Sequence, residues 1–160
     1  MPAFPVTRPN LTSPVHFLAF GLGSGLAPRA PGTFGTLAAV PLYLLAAQLG
    51  LVAYSAFLVL TFALGVYLCG RTSRELGVHD HPGIVWDEFV GYWITMCAAP
   101  AGWLWVATGF VLFRIFDILK PWPIGWLDRR VHGGLGIMLD DVVAGLIAWA
   151  CLQGVVQLVA

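Results

Sequence analysis

The chain has 160 residues, of which 59% are hydrophobic and only 10% are charged, and its formal net charge at pH 7 is zero. A soluble domain carries about 25% charged residues, so the few charged side chains here cannot cover the surface of a soluble fold of this size. The composition excludes intrinsic disorder and a basic nucleic-acid-binding protein, and it predicts a single all-α integral membrane domain over residues 1–160.

The first predicted feature along the chain is a lead-in of residues 1–30 that is rich in proline and glycine. A run of 41 residues without charge follows, from Ala30 to Gly70. Because a membrane-spanning helix needs about 20 apolar residues, this run is long enough for two helices. We expect them near residues 35–49 and 52–69, with the turn at Gln48-Leu49-Gly50.

The next charge-free run, residues 89–113, allows two interpretations. Read as one crossing, it contains a helix break at Ala99-Pro100-Ala101-Gly102. Read as a hairpin, it gives two short or re-entrant helices near 86–99 and 103–119. We favour the hairpin, because it places every charge of the protein on one face of the membrane.

The choice between these readings decides whether the acidic residues can meet. A single crossing would place the acids of residues 80–88 and those of 117–141 on opposite faces. A hairpin places both groups on the same face, which the positive-inside rule makes cytoplasmic, together with the lead-in. With a last helix over 142–160, the prediction is a bundle of about four to five membrane-embedded helices.

The eight acidic residues all lie between Glu75 and Asp141, and most fall where a predicted helix meets the interface. An acid at a helix N-terminus is often only a cap, but two adjacent pairs are harder to explain in this way. Carboxylates that converge in a partly dry site repel one another, and a magnesium or manganese ion removes that repulsion. The predicted metal ligands are Asp87, Glu88, Asp117, Asp140 and Asp141.

Basic residues accompany these acids. Arg114, Asp117 and Lys120 follow at intervals of three and therefore share one helix face. An interfacial ion pair would explain this spacing, although charge in so apolar a helix is costly unless it is paired or functional. More cations follow in a predicted short loop, and cations beside a metal fit a site that also holds phosphate. These residues are Arg129, Arg130 and His132; Asp128 beside them, like Asp80, is explained equally well by a solvated ion pair.

A glycine-rich stretch at residues 21–25 and Pro31-Gly32-Thr33 precede the first predicted span. Backbone N–H groups in such loops can cradle a phosphate, but a flexible connection is the commoner reason for such a composition. His79 and His81 flank Asp80, and two histidines at this spacing ligate one metal only from a loop or strand. Zinc at this position is therefore the minority interpretation.

Four sequence blocks together carry a recognisable pattern. They are G-L-G-S-G-L-A-P-R-A-P-G-T-F-G-T at 21–36, H-D-H-P-G-I-V-W-D-E-F-V-G at 79–91, F-R-I-F-D-I-L-K-P-W-P-I at 113–124 and D-R-R-V-H-G-G-L-G-I-M-L-D-D-V-V-A-G at 128–145. In this order and spacing they resemble the phosphatidylglycerophosphatase A family of bacterial inner-membrane enzymes. The resemblance covers nearly all of residues 16–150, and the last two blocks are the most specific.

This resemblance implies an all-helical enzyme that uses Mg²⁺ to hydrolyse phosphatidylglycerophosphate to phosphatidylglycerol and phosphate on the cytoplasmic leaflet. One acid would deprotonate the attacking water and His132 would protonate the leaving alkoxide, although direct attack by an aspartate stays open. The catalytic residues would be Asp87, Asp117, Asp141 and His132, and the substrate-binding residues Arg29, Lys120, Arg129, Arg130, Ser24 and Thr33.

The alternative function is a small transporter or channel that uses the acidic residues as an ion path. Such sites usually lie near the middle of the bilayer, on broken helices within repeats. Here the acids lie at predicted helix ends and the sequence shows no repeat, which favours the enzyme.

Overall fold

The computed structural model describes residues 8–160, whose regular structure is entirely helical. This confirms the all-α prediction for the described part of the chain. A 3₁₀ turn at Ser24–Leu26 precedes the second helix. The helices are α1 (Pro14–Ala19), α2 (Pro31–Ala46), α3 (Leu51–Leu76), α4 (Trp86–Thr95), α5 (Trp103–Leu119), α6 (Ile124–Arg130) and α7 (Gly133–Val159).

Two of the described helices, α3 and α7, are long and apolar enough to cross a membrane. With 26 and 27 residues, each extends about 40 Å, which exceeds the hydrocarbon thickness of a bilayer. Large apolar side chains on them are exposed, among them Val52 at 86% and Leu158 at 88%. Such an apolar exterior is expected where lipid is the solvent. The presence of four to five embedded helices stays a prediction.

The boundaries of α2 and α3 differ from the predicted ones. Helix α2 begins at Pro31, four residues before the predicted start, because proline is well suited to a first helical turn. Helix α3 continues to Leu76 and ends only where Gly77 takes up a left-handed conformation with φ +69°. Helix α3 therefore continues beyond its apolar part, and its last turns contain charged residues.

Helices α4 and α5 form the predicted hairpin. Helix α4 has only ten residues, about 15 Å, and stops before the turn that contains Ala99-Pro100-Ala101-Gly102. The Tyr92 hydroxyl donates to the Val106 carbonyl oxygen over 3.2 Å, and Phe113 packs beside Gly91. The two helices are therefore antiparallel, and the start of α4 lies beside the end of α5.

The remaining helices alternate in direction so that the charged segments meet. Helix α3 is antiparallel to α4, since the Tyr54 hydroxyl donates to the Trp93 carbonyl oxygen and Trp86 Nε1–H donates to that of Thr61. Helix α2 is parallel to α4, because Gly35 packs against Val85 at the start of α4, and farther along Trp93 Nε1–H donates to the Ala39 carbonyl oxygen over 3.1 Å. The charged residues between 71 and 141 consequently share one end of the bundle, which we call the charged end.

Part of the predicted lead-in belongs to the packed structure. Ala19 and Phe20 at the end of α1 are fully buried, and the Ala19 carbonyl oxygen accepts a hydrogen bond of 2.9 Å from the Val85 N–H. This segment therefore covers the loop that leads into α4. Residues 1–7 of the lead-in lie outside the described residues.

Helices α4 and α7 run parallel and approach each other closely at Gly91 and Gly145. A Cβ atom on Gly145 would collide with the Gly91 carbonyl group, and one on Gly91 would press on the Asp141 carbonyl oxygen. The Thr95 hydroxyl lies at the same crossing, 3.0 Å from the Gly91 carbonyl oxygen. Because Asp87 and Asp141 each precede one of these glycines by one helical turn, the crossing places the two acids opposite each other.

This crossing generates a prediction that compares two glycines of α7. Gly145→Ala should lower the free energy of unfolding by about 1–3 kcal/mol, because the new methyl group pushes two backbones apart. Gly154→Ala, which has open space around it, should be neutral or stabilising by up to about 1 kcal/mol through helix propensity. Thermal unfolding in detergent, followed by circular dichroism, measures both. Equal shifts in the two variants would mean that the crossing is not tight.

Candidate active site

A cleft of about 390 Å³ opens at the charged end of the bundle. Its walls come from the start of α2, the loop before α4, the start of α4, the end of α5 and the third turn of α7. All five predicted metal ligands line it: Asp87, Glu88, Asp117, Asp140 and Asp141. The fold therefore brings together acids that are more than fifty residues apart in the sequence.

Three of these acids, Asp87, Glu88 and Asp141, form a tighter group that we call the carboxylate cluster. Each supplies a carboxylate oxygen, and these oxygens lie within 4.8 Å of one another. Asp87 is 7% exposed and Asp141 is 2% exposed. One oxygen of each residue is buried without a hydrogen-bond partner in the described part of the chain: Asp87 Oδ1, Glu88 Oε2 and Asp141 Oδ2.

Asp117 and Asp140 are arranged differently, because each holds a cation of the protein. Asp117 Oδ2 accepts from the Arg114 guanidinium, one turn earlier on α5. Asp140 Oδ2 lies 2.6 Å from Lys120 Nζ. Within residues 8–160, no lysine or arginine forms an ion pair with a member of the carboxylate cluster.

When the three carboxylates of the cluster are ionised, no lysine or arginine among residues 8–160 pairs with their charge. Buried, unpaired carboxylates cost several kcal/mol each unless they are protonated or hold a cation. Oxygen atoms within 4.8 Å of one another could all coordinate a single hard divalent cation. The oxygens without partners, the all-carboxylate donor set and the spacing together fit such an ion.

Lys120, like Arg114, is a cation beside this group of acids. It terminates α5 in a left-handed conformation with φ +45° and reaches Asp140 at 2.6 Å and Asp128 at 3.4 Å. Partial burial alone would lower the pKa of Lys120, but its hydrogen bond to Asp140 and the charges of Asp140, Asp141 and Asp128 raise that pKa above its ordinary value. Lys120 therefore stays charged at the edge of the cleft.

The N-terminal turn of α2 forms the opposite wall. Arg114 Nη2 donates to Thr33 Oγ1 over 3.4 Å, which ties this turn to α5. A Cβ atom on Gly32 would lie 2.7 Å from Glu88 Oε1, so glycine allows the backbone to approach the acid. The partial positive charge of the helix N-terminus thus faces the cleft. Of the predicted substrate-binding residues, Lys120 and Thr33 lie in this region.

The structure does not bring Arg129, Arg130 and His132 to the cleft. The predicted loop is helix α6, which places both arginines on an exposed face, and the Arg130 guanidinium lies over the Trp126 ring. His132 is also exposed, and its ring packs edge-on against that of His79 at 5.1 Å. In the structure, neither arginine nor His132 contributes to the lining of the cleft.

Two further predicted residues also lie outside the lining. The Ser24 hydroxyl donates to the Gly21 carbonyl oxygen over 2.7 Å and stabilises its own turn. Arg29 is exposed, one residue before the cleft wall begins at Ala30. The glycine-rich stretch instead packs against the loop before α4, since a Cβ atom on Gly25 would collide with the Gly83 carbonyl group.

The expectation that Asp140 and Asp141 open the last helix is wrong. Helix α7 begins at Gly133, so both acids lie in its third turn. As consecutive residues they point about 100° apart on the helix. Asp140 consequently meets Lys120, while Asp141 meets Asp87 and Glu88.

The predicted site residues include neither His81 nor Arg114. The sequence suggests His81 only as one of a zinc-binding pair with His79, yet the group of described residues that could hold a metal contains carboxylates alone. His81 lines the cleft through the loop before α4, and Arg114 lines it through its pair with Asp117. The sequence feature that could indicate a place for His81 in the cleft is its position six residues before Asp87 in the same sequence block.

Comparison with known proteins gives consistent results. A family model described as phosphatidylglycerophosphatase A matches residues 17–156. The phosphatidylglycerophosphatase A of Escherichia coli K12 is 55% identical over 143 residues, which is 89% of this chain and 83% of that protein. The protein of the same name from Haemophilus influenzae is 49% identical over 146 residues, 90% of each chain.

A Bacteroides thetaiotaomicron protein is 39% identical over 137 residues, 81% of this chain and 85% of that protein, and its name assigns it provisionally to the phosphatidylinositol-3-phosphatases. No solved structure matches the chain. The matched range contains every acid of the cleft.

The contrast between neighbouring acids on α7 generates a stability prediction. In the presence of EDTA, Asp141→Asn should unfold at the same or a higher temperature than wild type, with a gain of up to about 1 kcal/mol, because it removes one of three repelling charges. Asp140→Asn should lose about 1–2 kcal/mol, because Lys120 loses its shorter ion pair. Thermal unfolding of both variants at pH 8 measures this difference, and a loss of stability in Asp141→Asn would contradict it.

Proposed function

The chain belongs to the phosphatidylglycerophosphatase A family and is a phosphoric monoester hydrolase, and we propose that it converts phosphatidylglycerophosphate to phosphatidylglycerol and inorganic phosphate with Mg²⁺ as cofactor. The observation that carries this proposal is the carboxylate cluster, which lacks a neutralising cation and lies in one cleft with Lys120 and Arg114. A hard cation and a phosphate group together complete the charge balance of such a cleft.

Asp87, Glu88 and Asp141 would hold the Mg²⁺ ion. Their buried oxygens without hydrogen-bond partners fit an ion that prefers carboxylate oxygen. When bound, Mg²⁺ supplies positive charge that offsets the charge of the phosphoryl group and acidifies water. Asp117, a predicted ligand, is instead held by Arg114 at the edge of the cluster.

The side chains around the cluster would bind and orient the substrate. Lys120 and Arg114 would neutralise the phosphate dianion together with the N-terminal turn of α2. Asp117 and Asp140 each have one oxygen held by a cation, which fixes the orientation of the carboxylate. In the proposed reaction, the second oxygen of one of them would accept the proton of the attacking water.

The location of the cleft supports a lipid substrate. It lies at the charged end of a bundle whose sides are apolar, where a phospholipid headgroup meets the membrane surface. The positive-inside rule assigns this end to the cytoplasmic face of a bacterial inner membrane. The choice of headgroup follows the name shared by the Escherichia coli and Haemophilus influenzae relatives.

The alternative, an ion-conducting protein, has less support. An ion path would place acids along the bundle axis, whereas the five acids of the cleft lie at one end of it. Family membership adds an enzymatic identity that a transporter would not explain.

The first test is catalytic. In detergent micelles with MgCl₂, the wild-type protein should release phosphate from phosphatidylglycerophosphate, and EDTA should abolish the reaction. Asp87→Asn and Asp141→Asn should each lower kcat/KM by at least roughly 10³-fold, because each removes a carboxylate from the metal-binding group. Asp128→Asn is the matched control, since Asp128 is at 3.4 Å from Lys120 and does not line the cleft. Full activity in EDTA would refute the metal requirement.

The second test measures the metal directly. Mn²⁺ substitutes for Mg²⁺ at oxygen sites and is detected by its electron paramagnetic resonance signal. Titration with wild-type protein should remove the signal of free Mn²⁺, whereas Asp141→Asn should bind it at least about tenfold more weakly. Equal binding by the two proteins would place the ion outside the carboxylate cluster.

A further inference from the structure

His81 is a histidine of the cleft for which the reaction described above has no role. It belongs to the loop before α4, lines the same cleft as the carboxylate cluster and is partly buried. Its ring packs against that of Phe20, with the centroids 5.4 Å apart. His16, His79 and His132 are not part of the cleft lining.

One hydrogen bond defines the tautomer of this ring. The Gly83 backbone N–H donates to His81 Nδ1 over 3.0 Å. A backbone N–H can only donate, so Nδ1 must present its lone pair and the ring proton must be on Nε2. Nε2 has no hydrogen-bond partner among residues 8–160 and is therefore free to donate to a ligand in the cleft.

The surrounding loop holds the ring in place. Gly83 packs so closely against Phe20 and Gly25 that a Cβ atom on it would collide with both. The Ile84 N–H donates to the His81 carbonyl oxygen over 2.9 Å, and the next residue, Val85, is bonded to Ala19. The glycine-rich stretch at residues 21–25 thus supports the loop that carries His81.

We propose that His81 contacts the substrate as a fixed hydrogen-bond donor, through Nε2–H to an oxygen of the phosphate ester. This inference rests on the proposed phosphatase function. A phosphate in the cleft presents acceptor oxygens, and a donor that is already oriented stabilises the charge on them. His81 does not act as an acid or a base, because a second proton on the ring would oppose the Gly83 N–H and break the bond that orients it.

The test uses two substitutions that separate the two ring nitrogens. Asparagine can accept the Gly83 N–H in place of Nδ1, as it does in Asx turns, but it offers no donor at the position of Nε2. Glutamine carries its amide farther out and supplies an N–H group near that position. His81→Asn should therefore keep the wild-type unfolding temperature and lose about 10- to 100-fold in kcat/KM on phosphatidylglycerophosphate. His81→Gln should lose much less activity, for example no more than about tenfold in kcat/KM where His81→Asn loses about 100-fold.

The matched control is His79→Asn, the same substitution at an exposed histidine of the same loop that does not line the cleft, which should retain wild-type activity. Wild-type activity of His81→Asn would overturn the inference and leave His81 a structural role. Equal loss in the Asn and Gln variants would also overturn it, because a proton-transfer role cannot be replaced by an amide. Failure of the wild-type protein to hydrolyse the lipid would instead refute the proposed function, so the two failures are distinguishable.

Discussion

The close crossing of α4 and α7 is the constraint on which the rest of the site depends. Two glycines, Gly91 and Gly145, let these helices touch through their backbones, and one turn earlier each helix carries an acid. The contact forces Asp87 and Asp141 together in a place where water cannot separate them. Packing of fully buried aromatic residues of α4, such as Phe89 and Tyr92, offsets the cost of that repulsion. The fold thus holds three carboxylates together without a cation of the described protein beside them, an arrangement that the proposed Mg²⁺ ion would stabilise.

The direction of the helices combines an apolar exterior with a cleft of charged residues at one end of the bundle. The exposed apolar surface of α3 and α7 suits lipid around the bundle, where charged groups are tolerated at an end. Helices α2 to α5 alternate in direction. This brings the charged segments to one end and leaves turns without charge at the other, including residues 47–50 and 98–102. In the proposed function, the charged end would meet the phosphorylated headgroup of the lipid at the membrane surface.

Much of the fold and the acidic part of the site could be predicted from sequence, because both depend on local signals. Charge-free runs locate the helices, and the break at residues 99–102 indicates a hairpin. The cations were harder to assign, because sequence proximity to an acid does not show which way a side chain faces. Arg129 and Arg130 follow Asp128 directly, yet helix α6 turns them to its exposed face. The role of the glycine-rich stretch depends on its contact with Gly83, a residue 58 positions from Gly25, which no local pattern reveals.

Helix geometry gives the two adjacent acids of α7, Asp140 and Asp141, different partners. Asp140 and Asp141 differ by about 100° in direction, so the first reaches Lys120 on α5 and the second reaches α4. Lys120 holds one oxygen of Asp140 and so orients that carboxylate. Arg114 does the same for Asp117 on the other side. In the proposed enzyme these two basic residues would therefore have a second task besides binding phosphate: by pairing with two of the five carboxylates, they leave Asp87, Glu88 and Asp141 as the three that no cation of the described protein holds.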